Sequence, residues 1–141
     1  MDYRLNITAE AEYLHVRVTG TNTPEAVAGY LQEVHQECVR RRCFRVLIEE
    51  HLEGPRLSAF PVFKIAAEGS ARSSDIIEAL AYVDAHATGD LMQFAQNVAR
   101  NRGMHVAVFA SVAEARAWLQ RQLADPGRRA RTPEGTTPPA T

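Results

Sequence analysis

The stretch Asn101-Arg102-Gly103-Met104-His105-Val106-Ala107-Val108-Phe109-Ala110-Ser111-Val112-Ala113-Glu114-Ala115-Arg116-Ala117-Trp118-Leu119 decides the fold class. It reads as a helix end, a buried strand and a capped helix in direct succession, the unit from which a parallel or mixed α/β sheet is assembled. Gly103 suits the left-handed residue that closes a helix. Val106 to Phe109 are continuously apolar, as in a strand covered on both faces. Ser111 and Glu114 have capping-box spacing, and Val112, Ala115 and Leu119 then share one helical face.

Working outward, Val46 to Ile48 and Leu80 to Val83 repeat the inner-strand pattern. At the N-terminus Leu5, Ile7 and Ala9 alternate with polar residues, as do Leu14, Val16 and Val18, which predicts a hairpin with one wet face. Thr23-Pro24-Glu25 supplies a cap, a first-turn proline and an acid near the positive end of a helix dipole. Val27, Tyr30, Leu31, Val34 and Cys38 form that helix's apolar stripe, and Arg40 to Arg42 suit its C-terminus. A second helix begins near Ser58, with Phe60, Phe63 and Ala67 at near-helical spacing and Pro61 in its first turn, after a long loop from His51 to Leu57. A third spans about Asp90 to Asn101. The predicted order is ββαβαβαβα: an α/β domain with a mixed sheet of about five strands over residues 1–124.

From Asp125 to Thr141, prolines and glycines interleave with arginine and threonine and no apolar residue larger than alanine remains, so a disordered tail is expected there. At 141 residues, with 45% hydrophobic and 23% charged residues and a net charge of −1, the chain suits one soluble domain without global attraction to nucleic acid or anionic membrane. No apolar run is long enough to cross a bilayer and no leader peptide is evident, so a cytoplasmic location is expected. Cys38 and Cys43 are too few for a disulfide framework and read as buried free thiols.

That element order, with Arg102-Gly103 before the last strand and Glu114-Ala115 and Trp118-Leu119 on the last helix, resembles the SpoIIAA-like family across about residues 3 to 123. The family is related in fold to the STAS domains of anti-sigma-factor antagonists and, more distantly, to CRAL-TRIO domains. The resemblance implies a STAS-like fold and a noncatalytic regulatory or protein-binding module. Anti-sigma-factor antagonists carry a phosphorylatable serine at the N-terminus of the helix after the third strand, within an Asp-Ser-Ser-Gly-like motif. Here Ser58 takes about that place without the motif. Helix N-terminal amides and Arg56 would favour a phosphate on it, and the plainer reading is a helix cap.

Parallel inner strands would bring Glu50 and His51 to the same sheet edge as Asp84 and His86, where ligands of open α/β sheets bind. Two imidazoles among carboxylates could pass a proton or hold a metal, although no His-x-x-x-His pair is present and neither metal nor cofactor is expected. His15, His35 and His105 read as surface residues, and Ser73 and Ser74 as turn residues. Phe60, Phe63 and Ile65 put apolar groups around most of a short helix. Their surplus surface could line a pocket for a small lipid-like ligand, bury itself in a homodimer, or fill the core. The chain has no phosphate-binding loop, nucleophile elbow, paired-cysteine or zinc-helix motif, and its arginines form no basic stripe for nucleic acid. A regulatory module with a protein partner is the first expectation, a carrier or sensor of a small apolar ligand the second, and an enzyme using His51 and His86 the third.

Overall fold

Nine elements succeed one another: β1 (Tyr3–Ala9), β2 (Leu14–Thr21), α1 (Pro24–Arg41), β3 (Arg45–Glu53), α2 (Ala59–Ser73), β4 (Ala79–Val83), α3 (Asp90–Asn101), β5 (Val106–Phe109) and α4 (Val112–Leu123). The computed structural model describes residues 2–85 and 89–123. The expected tail at 125–141 and His86 lie outside the described residues. The five strands make one mixed sheet in the order β1-β2-β3-β4-β5. β1 is antiparallel to β2, and β2 to β5 are parallel, each parallel step bridged by a helix because a tight turn cannot reverse the chain twice.

Period-two alternation along the strands builds two cores. On one face Val16, Val18, Val46, Ile48, Leu80 and Val106 pack with Val27, Tyr30, Val34 and Cys38 of α1. On the other, Leu47, Ala81 and Val83 meet Ala115 and Leu119 of α4. α4 lies against β3, β4 and β5. Towards β1 and β2 that second face is solvated, with Asn6, Thr8, Arg17 and Thr19 exposed.

Local chemistry sets the element ends. Thr23 Oγ1 accepts the Ala26 N–H at 3.0 Å, and Ser111 Oγ accepts the Glu114 N–H at 3.2 Å. α1 stops at Arg42, which is left-handed at φ 55° and whose N–H turns back to the helix's last carbonyls. At the outer edge of β5 the Arg100 Nε–H donates to the Val106 carbonyl at 2.8 Å, and the Val108 N–H donates to Gln96 Oε1 at 2.9 Å.

Two boundaries differ from the sequence reading. His51, Leu52 and Glu53 belong to β3, not to a loop, because β2 offers them a ladder opposite Thr19, Gly20 and Thr21. Ser73 is the last residue of α2 rather than a turn residue, while Ser74, its C-cap, opens the turn that follows. Both inward serines of this helix find partners: Ser70 Oγ donates to the Ala66 carbonyl at 2.6 Å, and Ser73 Oγ meets His35 Nδ1 at 2.8 Å.

Arg42→Gly should raise unfolding stability by about 0.5–1 kcal/mol, because glycine occupies a left-handed helix end without side-chain strain. Gly20→Ala should lower it by about 2 kcal/mol or more, since a Cβ at Gly20, whose φ is +141°, would stand 2.2 Å from the Asp2 carbonyl oxygen. Urea unfolding of both variants measures the two signs.

Candidate functional site: a chamber under α2

α2 packs against its neighbours α1 and α3. The side chains it turns inward include Val62, Ile65, Ala66, Ser70 and Ser73, with Gly69 among them. Ile65 packs against the core beside the sheet, and most of the others are small. A cavity of about 160 Å³ remains, floored by Val46, Ile48, Leu80, Tyr82, Val106 and Val108 and flanked by Leu31 of α1 and Leu91 and Ala95 of α3. A Cβ on Gly69 would meet no atom within 4 Å. A cavity this size accommodates one ring: an engineered apolar cavity of about 150 Å³ binds benzene.

The chamber is apolar except at its ends. At one, Glu50 of β3 lies beside Tyr82 and Asp84 at the C-terminal end of β4, with Arg56 at the rim. The Tyr30 hydroxyl, from the centre of α1, donates to Glu50 Oε2 at 2.5 Å. The Tyr82 hydroxyl donates to the same oxygen, and the two hydroxyls touch each other. Asp84 is 4% exposed, and its Oδ1 lies 3.6 Å from Arg56 Nη1. Burial, then the hydrogen bond and charge of Asp84, push the Glu50 carboxyl up to about 7 against the opposing pull of the two tyrosines. Burial and the neighbouring Glu50 raise Tyr30 and Tyr82 well above the ordinary phenol, so both remain donors. At the other end His35 faces Ser73, and burial followed by the charge of Arg72 lowers its pKa, favouring the neutral ring.

Of the residues singled out in the sequence, Glu50, Asp84, Arg56 and Ile65 line this chamber. His51 does not join them. One residue beyond Glu50 on a pleated strand, it projects to the opposite face, where its Nε2 lies 2.6 Å from Glu49 Oε2 while His15 Nε2 lies 2.9 Å from Glu49 Oε1. Burial works to raise the Glu49 carboxyl, but His51 and His15 together hold it below its ordinary value. Among the described residues, no group of three or more His, Cys, Asp or Glu could hold a metal ion.

Phe60 and Phe63 do not line the chamber either. Phe60 is 75% exposed, and Phe63, 38% exposed, lies under the Arg102 guanidinium at 5.4 Å. The inward stripe of α2 starts at Val62 and continues through Ile65 and Ala66, which turns both phenylalanines outward. Ser58 stands at the N-cap of α2 but its side chain makes no capping hydrogen bond, while Arg56 reaches Asp84. His35, read as a surface residue, borders the chamber instead. Tyr30 and Tyr82 went unread because they sit within apolar patterns that hide their hydroxyls. The Gly69 and Ser73 spacing behind Val62 was the available sign of a thin helix face.

Neither a protein-family model nor a curated protein matches this sequence. No described helix is long and apolar enough to cross a membrane.

A carboxyl with a higher pKa in the folded than in the unfolded chain binds more protons when folded, so its contribution is present at low pH and is lost as pH rises. For Glu50 the window runs from the ordinary 4.5 to about 7, and the size is about 3 kcal/mol. The wild type should therefore lose stability across this window relative to Glu50→Gln. His35 contributes equally to both chains, so the difference between their urea-unfolding curves isolates Glu50.

Proposed function

We propose that the domain is a noncatalytic module of SpoIIAA-like, STAS-related type that carries or senses one small, mostly apolar ligand in the chamber under α2. The observation behind this reading is the chamber itself: about 160 Å³ of apolar space with one hydrogen-bonding end, the usual form of a small-molecule site. The noncatalytic part rests on the polar groups, since Tyr30, Tyr82, Glu50 and Asp84 are engaged with one another or with Arg56. A regulatory output fits the same geometry. α2 is the roof of the chamber and carries exposed Phe60 on its outer side, so ligand occupancy would be felt at a surface available to a protein partner.

Native mass spectrometry of the full chain purified from its own host should show a small noncovalent adduct that is lost on denaturation. Gly69→Leu, which fills the chamber, should lack it. Gly69→Ala should instead raise stability by about 0.5–1 kcal/mol, since it replaces a helix-interior glycine in open space. A chain with no adduct, whose melting temperature saturating benzyl alcohol does not raise, would overturn the reading.

A further inference from the structure

The polar end of the chamber is built of oxygens, and they discriminate between head groups. Glu50 and Asp84 are adjacent carboxyls, with the Tyr82 hydroxyl beside them and that of Tyr30 behind. Asp84 is nearly inaccessible to water, and its counter-charge, Arg56, approaches at 3.6 Å from the rim, where its own side chain is 36% exposed. An anionic head group would be set against two carboxyls in a medium where charges interact more strongly than in water. A neutral hydroxyl would gain little from groups already bonded to each other. A cation would gain attraction to both carboxyls.

We infer that the ligand is a small primary amine bound as its ammonium ion, with its nitrogen held by Glu50 and Asp84 beside the Tyr82 hydroxyl and its apolar body, a single ring or short branched chain, in the space beneath Gly69. This inference rests on the ligand-binding reading above and names the head group that reading leaves open.

Proton linkage gives the inference its signature. In the empty chamber below about pH 7, Glu50 is neutral, held so by burial and by Asp84. When the ammonium ion arrives, the Glu50 O–H bond breaks, the carboxylate pairs with the cation, and the proton leaves for the solvent. One proton is released per amine bound, and charge is conserved. Among the described residues, six other charged or titratable groups face the chamber or its acid: Tyr30 and His35 from α1, Arg56 from the segment before α2, Arg72 from α2, and Tyr82 and Asp84 from β4 and its end. The side chains of α3 that line the chamber, Leu91, Met92, Ala95, Gln96 and Ala99, carry no charge. Glu50 therefore dominates the proton count, and His35, at the far end, is common to every probe.

Titration calorimetry of the full chain with benzylamine, benzyl alcohol and benzoate, in buffers of different ionisation enthalpy, tests this. Benzylamine should bind at least about tenfold tighter than benzyl alcohol near neutral pH, and benzoate should bind weakest. Near pH 6, benzylamine binding should release about one proton, falling towards none above about pH 8, and its affinity should fall about tenfold per pH unit on acidification. Glu50→Gln should abolish the release and bring benzylamine to within a few-fold of benzyl alcohol. The wild-type proton count stands as the test even where that variant folds poorly. Benzyl alcohol binding as tightly as benzylamine, or benzoate binding best, overturns the amine inference and leaves the ligand chamber standing. Failure of all three probes to bind overturns both.

Discussion

Two phenols donating to one buried carboxyl tie the helical layer to the sheet. Tyr30 comes from the middle of α1, Glu50 from β3 and Tyr82 from β4, so their contact ties α1 to both of these strands. Buried hydrogen-bond networks cost most when half-satisfied, so loss of one member leaves its partners unpaired in the interior. Asp84 and Arg56 continue the network outward, drawing the chain after β3 against the end of β4. Asn22 Nδ2 pins the same segment through the Pro55 carbonyl at 2.9 Å. The approach to α2 is thereby held while α2 itself stands off the strands.

That standoff follows from side-chain size. α1 lowers Val27, Val34 and Cys38 onto the sheet and buries them. α2 offers Ala66, Gly69 and Ser70 at the equivalent depth and is carried by its flanking helices. Its stability thus comes from helix–helix contact, which permits space beneath it without undoing the layer.

Much of this architecture was legible in the chain because its signals are local. Val46 to Ile48, Leu80 to Val83 and Val106 to Phe109 announce inner strands, and Thr23 and Ser111 announce helix starts whose hydrogen bonds the structure contains. What escaped depends on partners distant in sequence. His51 to Glu53 carry no strand signal of their own and are extended because β2 is long enough to pair with them. Glu50 and Asp84 were legible as neighbours once the strands were taken as parallel, but His51 fell to the other face by the one-residue alternation of a strand. Phe60 and Phe63 were misleading, since aromatic bulk suggests an interior, whereas the stripe that faces the sheet here is the small one. The phenol oxygens of Tyr30 and Tyr82 have no signature in hydrophobic periodicity at all.

The sheet's two margins are chemically unequal. At β5 the outward carbonyl of Val106 and the outward N–H of Val108 are occupied by Arg100 and Gln96 of the preceding helix. A foreign strand arriving there would have to displace two side chains before it could pair. Continuous fibrils built by strand addition need a donor margin and an acceptor margin on each copy, and among the described residues β1 is the margin without such side-chain cover. Any self-association through the backbone is steered to a β1-to-β1 meeting, which is closed and stops at two copies. Protection against runaway aggregation is thus written into two α3 side chains whose local task is to hold a four-residue strand in place.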